Sequence, residues 1–231
     1  NIFFPLVLFF AFSCGKISPK GEIVSKDFPV EDFTKINMEG KFRVFYVQSA
    51  KSFVNVETYP NLCDNLKISV NDKVLNITEK RPTQGIDFYN ITIYSKFNPE
   101  KISISDSVEM NVSGRIKTDY FQLNLKNNAK FIGAINSRRA EVEMLDKSRA
   151  NFSGFTKDGV LKIADTASLI APYWQLDNLS IDSRNGNYAE VFVKDSLKGK
   201  ITNTAKMVYY NDPIRAFNID KTANVQNKKL E

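Results

Sequence analysis

The chain has 231 residues, of which 42% are apolar and 25% charged, with 32 Lys+Arg against 26 Asp+Glu and a net charge of +6. These are the proportions of a folded protein that can bury its own core. With no His and only two Cys it excludes His-dependent catalytic triads and His- or Cys-rich metal sites, and it lacks the glycine-rich runs of phosphate-binding loops.

Residues 2–12 read IFFPLVLFFAF, an uncharged run too short for the about 20 apolar residues of a bilayer span. It has the length of a signal-peptide apolar region. The run ends in Ala11-Phe12-Ser13-Cys14-Gly15, which resembles the lipobox of bacterial lipoproteins. That resemblance implies a leader over residues 1–13, acylation of Cys14 as the mature N-terminus, and attachment to a membrane through acyl chains without spanning it. It places the protein in the envelope of a Gram-negative bacterium, as an outer-membrane lipoprotein facing the periplasm or the cell surface. Residues 14–27, with their Lys, Ser, Pro and Gly, read as a tether to a single domain over 28–231. With Cys14 acylated, Cys63 has no disulfide partner and no His to activate it, so it is expected as a small buried apolar residue.

From residue 33 the apolar pattern alternates with a period of two, as in half-buried strands. Phe42, Val44 and Tyr46 flank Arg43 and Phe45; Leu66, Ile68 and Val70 flank Lys67 and Ser69; Ile91 and Ile93 flank Thr92. Turn residues such as Asn71-Asp72 punctuate the strands. The one helical turn predicted follows Pro60, near residues 61–65.

The second half repeats. An apolar–polar–apolar triplet recurs as Ile102-Ser103-Ile104, Leu123-Asn124-Leu125, Val142-Glu143-Met144, Leu161-Lys162-Ile163, Leu179-Ser180-Ile181 and Phe217-Asn218-Ile219. Gly199-Lys200-Ile201 fits at its third position. Polar turns follow, several closed by a small residue: Ala129, Ala167, Ala205 and Ala223. A second short apolar strand completes each unit. This predicts an all-β solenoid with coils of about 18–21 residues, in which Leu125, Met144 and Ile163 form one buried ladder. An antiparallel sandwich is the competing architecture, but it has no reason to keep successive units in register. The less regular stretch 28–96 is the expected cap.

With these residues placed, the chain resembles the head GIN domain family of auto-transporter adhesins. Phe33-Thr34-Lys35-Ile36, Gly40-Lys41-Phe42-Arg43-Val44 and Val54-Asn55-Val56-Glu57 are similar to its opening, and Tyr209-Tyr210-Asn211-Asp212-Pro213 to its closing Tyr-Tyr-Gly-x-Pro element. Asn211 stands where Gly is usual, and Asn tolerates the left-handed backbone best. The resemblance spans roughly residues 28–225 and implies a right-handed parallel β-helix-like fold. It carries over no catalytic residue.

The chemistry offered is sparse. Asp106, Asp146, Asp165 and Asp182 follow the triplets and could line a groove in a carbohydrate-active β-helix enzyme, which needs two carboxylates about 5–10 Å apart. Asn127, Asn203 and Asp220 occupy similar places, so turn chemistry accounts for all of them. No catalytic residue, metal site or cofactor is therefore expected. Tyr173, Trp174, Tyr209 and Tyr210 are the candidate binding surface, for a cell-surface glycan or protein. The densest basic clusters, Arg138-Arg139 and Lys228-Lys229, are too short to track a nucleic-acid backbone, so nucleic acid is not an expected partner. Asp106-Ser107-Val108, Asp165-Thr166-Ala167 and Asp195-Ser196-Leu197 resemble a bacterial O-glycosylation acceptor, a pattern that turns explain equally well. The function expected is that of a lipid-anchored envelope protein with a binding, adhesion or structural role and no catalysis. The carbohydrate-active enzyme is its alternative.

Overall fold

Period-two alternation with one apolar face commits the chain to sheets, and the short repeat makes those sheets stack in parallel. The computed structural model describes residues 15–230; the leader and Cys14 lie outside the described residues. Chain order runs β1 (Val24–Pro29), β2 (Lys35–Gly40), β3 (Arg43–Gln48), β4 (Phe53–Thr58), α1 (Pro60–Asn65), β5 (Leu66–Asn71), β6 (Val74–Glu79), β7 (Asn90–Ser95) and β8 (Lys101–Asp106). There follow β9 (Glu109–Leu125), β10 (Lys130–Met144), β11 (Arg149–Ala164), β12 (Ser168–Arg184), β13 (Tyr188–Thr202), β14 (Lys206–Tyr210), β15 (Ile214–Ile219) and β16 (Asn224–Lys228). The protein is an all-β solenoid of about seven turns.

Strands β9 to β13 each run 15 to 17 residues and bend round the coil, so one strand serves more than one face. The first segment of β9 stacks on β3 and its last on β8, and β10 to β13 continue both stacks. The predicted ladder Leu125, Met144, Ile163 is in register and fully buried. A parallel row of inward residues on the other face reads Met110, Phe131, Ala150, Leu169, Ala189, Met207 and alternates large and small from Phe131 onward. Alternation lets each coil interdigitate with the next at crystal-like density.

One step of the sequence register is corrected. Ile163 pairs with Ser183, not Ile181, and Ser183 with Ile201. Leu179-Ser180-Ile181 matches the preceding triplet by pattern alone, but β12 carries an extra residue ahead of it. Asn151 pairs with Ile170, whereas Ser153 pairs with Tyr173. The slot thus falls to a polar residue. Ser183 Oγ donates to Asn187 Oδ1 at 2.7 Å, and Asn187 Nδ2 donates to the carbonyls of Ile163 (3.1 Å) and Arg184 (2.7 Å). Both residues are buried, and they satisfy each other as burial requires.

The first half forms the cap, and its threading is not sequential. Coil β2–β3 lies between β6–β7 on one side and β8–β9 on the other. Antiparallel β5 closes one face and antiparallel β4 and β1 the other. Helix α1 covers the expected turn and buries Leu62 and Cys63. Burial pushes the Cys63 thiol pKa up, as for an inert core cysteine.

Residues in the stretch 14–27, read as a tether, also contact the cap. Ile17 bridges Thr83, the Gly15 carbonyl accepts from Arg81 Nη2 at 2.6 Å, and β1 pairs with β4 from Val24 onward. Its polar composition hid a strand whose apolar contacts, Val24 and Phe28, are few. The domain boundary at residue 28 therefore falls within β1.

Candidate binding surface

The corner after each triplet is built by Asx residues. Asp106, Asn127, Asp146, Asp165, Asn185 and Asn203 all adopt positive φ, between 47° and 70°. Their side chains also link coils. Asp146 Oδ2 accepts from the Asn127 amide at 2.8 Å, and Asp165 Oδ2 from the Asp146 amide at 3.2 Å. Asp165 Oδ1 takes a third bond, from Asn185 Nδ2 at 3.1 Å. Three of the four acids considered for chemistry, Asp106, Asp146 and Asp165, thus sit at turn positions, and two of these carboxylates hold adjacent coils together. Asp182 lies apart from them, on the strand, between Lys162 and Lys200.

The face bearing Asp182 is sealed by its own pairs. Its outer row reads Asn76, Asn37, Ser103, Asn124, Glu143, Lys162, Asp182, Lys200 and Asn218. Opposite charges stand next to each other, which favours the ladder and leaves little net field. A hollow of about 400 Å³ opens between the loop at residues 84–90 and the corner at Phe42. Its acids are engaged: Asp87 accepts from Tyr59 Oη at 2.9 Å, and Glu109 pairs with Lys130.

The four aromatic residues singled out in the sequence divide. Trp174 and Tyr209 are buried and belong to the core, which corrects their assignment to the surface. Trp174 meets Phe152 edge-on, and Phe152 meets Phe131 edge-on, with ring centroids 5.3 Å apart in both pairs. Such pairs add about 0.5–1.5 kcal/mol beyond area burial. Gly154, which pairs with Trp174, allows close approach of the preceding coil: a Cβ there would lie 2.2 Å from the Ile135 carbonyl oxygen. Neighbours along a strand face opposite sides, so burial of Trp174 turns Tyr173 outward, at 63% exposure.

Tyr173 rides on a bulge. Ala171 pairs with Val191 and Gln175 with Phe192, so Pro172, Tyr173 and Trp174 are extra relative to β13. Beside it, Tyr210 Oη donates to Glu190 Oε1 at 2.5 Å and Tyr188 Oη to Glu190 Oε2 at 3.1 Å. The Glu190 hydrogen bond, with burial and the carboxylate charge behind it, pushes the Tyr210 phenol up to about 12. Sequence reasoning missed Tyr188 and Glu190. The pairing of Phe192 with Tyr210 across coils brings them together, and no local motif carries that. The result is a surface of two tyrosines bonded to one carboxylate with the exposed Tyr173 near Tyr210: ring faces for stacking and an acceptor for hydroxyl or amide donors.

A family model described as "Putative auto-transporter adhesin, head GIN domain" matches residues 32–213. Among solved structures, the chain is similar to a putative adhesin from Bacteroides fragilis NCTC 9343, with 16% identity, a TM-score of 0.84 and coverage of 92% of this chain and 100% of the other. A putative adhesin from Parabacteroides distasonis ATCC 8503 matches with 19% identity and a TM-score of 0.74, over 93% of this chain and 100% of the other. A putative lipid binding protein from the same organism matches with 15% identity and a TM-score of 0.75, over 94% and 100%. At these identities the likeness establishes the fold. No curated protein matches.

Proposed function

The chain belongs to the head GIN domain family of putative auto-transporter adhesins, and from that membership we propose that it is a lipid-anchored binding protein displayed on the envelope of a Gram-negative bacterium. Family members and structural neighbours are described as adhesins or as a lipid binding protein, not as enzymes. Cys14 is the proposed acylation site, with the outer membrane as the compartment. The partner proposed is a cell-surface glycan or protein.

The observation that carries the binding reading is the exposed Tyr173 beside the Tyr188–Glu190–Tyr210 cluster. Aromatic rings set around a hydrogen-bonded carboxylate offer apolar contact area at small entropic cost, together with directional polar contacts. No turnover is proposed, because an acid, a base and a charge-stabilising group must converge on one cleft. Here Asp146 Oδ2 and both oxygens of Asp165 are engaged by turns of neighbouring coils.

Two measurements test the reading. Metabolic labelling with a fatty acid should label the wild type and not Cys14→Ala; label retained by the variant would refute the anchor. Screening the full chain on glycan and cell-surface protein arrays should give ligands lost on Tyr173→Ala. Ligand binding unchanged in both Tyr173→Ala and Tyr210→Ala would remove this surface from the function.

A further inference from the structure

The outward row through Tyr173 continues along the rod. In register it reads Arg115, Ala134, Ser153, Tyr173, and beside it run Lys117, Asn136, Phe155, Gln175. At the corner, where the pairing skips one residue per strand, Asp119, Arg138, Lys157 and Asp177 follow the paired Thr118, Ser137, Thr156 and Leu176 and hold equivalent positions on successive coils. Lys117, Arg138 and Lys157 line one shallow open cleft together with Phe155, Asn136 and Asp119.

Three features distinguish this strip from an ordinary solvated surface. Arg138 and Lys157 follow the paired Ser137 and Thr156, so they hold equivalent corner positions on adjacent coils and line one cleft, where like charges repel. Among the described residues neither forms an ion pair, and nor do Arg115 and Lys117. Of the nearby acids, Asp177 pairs with Lys194 at 3.8 Å and Glu141 with Arg139 at 2.7 Å, which leaves Asp119 as the one carboxylate of the cleft beside three cations. Finally, Phe155 lies in the same cleft with 41% of its surface exposed, and Tyr173 continues the aromatic track one coil on. Cations interleaved with exposed rings along a straight repeat match a linear ligand that carries both anionic groups and flat ring faces.

We infer that this strip binds an acidic polysaccharide lying along the solenoid axis, with its carboxylate or sulfate groups at Lys117, Arg138 and Lys157 and its sugar rings against Phe155 and Tyr173. The inference rests on the binding role proposed above and names the ligand class for the same side of the molecule. From β9 to β12 the strip spans three strand spacings, about 14 Å, enough to engage several successive groups of an extended chain. Single contacts are weak in water, and repetition along the rod gives the avidity.

The test is binding of the full chain to polygalacturonate, dextran sulfate and neutral dextran, with duplex DNA and phosphatidylglycerol vesicles as further arms. We expect either acidic polymer to bind at least about tenfold more tightly than dextran, carboxylate-only or sulfate-only binding then identifying the anion. Arg138→Glu combined with Lys157→Glu should abolish that binding, and Phe155→Ala should weaken it about threefold or more, with circular dichroism unchanged. Dextran binding equal to the acidic polymers would overturn the inference. So would DNA or vesicles binding as tightly as the acidic polymers with no effect of Phe155→Ala, since that pattern is charge alone. Loss of acidic-polymer binding with array ligands still sensitive to Tyr173→Ala would reject this inference and leave the broader reading standing. Silence in every arm and on the arrays would reject both.

Discussion

Trp174 Nε1 donates to Thr156 Oγ1 at 3.0 Å, from one coil to the one before it. Thr156 is bonded in turn to Ser137 Oγ at 2.9 Å, so three coils are linked through a buried polar thread. This thread lets a large amphipathic side chain occupy the core behind the proposed binding face, and it fixes the bulge on which Tyr173 stands. Thr156→Val keeps the shape and strands both the indole N–H and the Ser137 hydroxyl. A buried unsatisfied group costs about 1–3 kcal/mol, so urea unfolding should show a midpoint clearly below wild type. Trp174 is the sole Trp of the chain, so its fluorescence reads this site alone. Wild-type emission should be blue-shifted and poorly quenched by acrylamide. Strong quenching in the native state would contradict the burial.

The Asx corner separates backbone from side-chain effects. Asp165 holds φ at 61°, which costs an ordinary L-residue about 1–2 kcal/mol. Asp165→Ala should therefore lose that amount plus the bonds to the Asp146 amide and Asn185 Nδ2. Asp165→Gly restores the backbone freedom and loses only the bonds, so it should unfold at a urea concentration between those of the Ala variant and wild type. Equal midpoints for the two variants would show that the left-handed conformation is not the controlling feature.

Gly199 lies opposite Ile181 in the inward row of the triplet face, with φ at 135°. A Cβ there would fall 1.8 Å from the Ile181 carbonyl oxygen, a backbone atom that cannot move aside cheaply. Gly199→Ala should cost more than the about 1 kcal/mol typical of a point substitution. The damage should be concentrated in β13 to β16, and hydrogen exchange should show it as lost protection there with β9 to β11 retained. Uniform loss would mean that the coils unfold as one unit.

The solenoid was legible because burial on one face of a repeating coil writes itself into the sequence as a period. Leu125, Met144 and Ile163 are spaced by the coil length, and nothing intervenes. Legibility ended where a bulge changed the count. Leu179-Ser180-Ile181 carries the right pattern two residues early, and Ser183, a polar residue in an apolar slot, gives no hydrophobic signal. The threading of the cap was unreadable for a different reason: β2 is inserted between β6 and β8, and no local pattern encodes which coil a strand joins. The surface split similarly. Alternation predicts that Tyr173 and Trp174 face opposite ways but not which one faces out; the partners that hold the indole inside, Thr156 and Phe152, lie one coil away in the sequence. Arg138 and Lys157 line one cleft only because 19 residues make one coil there, so the cationic strip does not exist in the linear sequence.

Glu79 offers a test of the cap through pH. Its Oε2 accepts from the Lys41 amide at 3.2 Å and its Oε1 from Thr83 Oγ1 at 3.1 Å. Burial raises the Glu79 carboxyl pKa and outweighs these two hydrogen bonds and the Lys41 charge, with Asp106 adding to the rise. A carboxyl with its folded pKa above its unfolded value binds more protons when folded. Its contribution to stability is therefore fully present below the unfolded value and is lost as pH rises through the folded one. Glu79→Gln should remove that loss, because the amide oxygen can still accept from Lys41 while its N–H₂ donates to Thr83. The variant and wild type should melt close together at about pH 4, and the variant should melt higher at about pH 7. The pH-dependent part of the difference is the signal, since any packing change from the substitution is present at both values. A gap that is constant with pH, or that narrows as pH rises, would mean that Glu79 is charged without penalty in the folded cap.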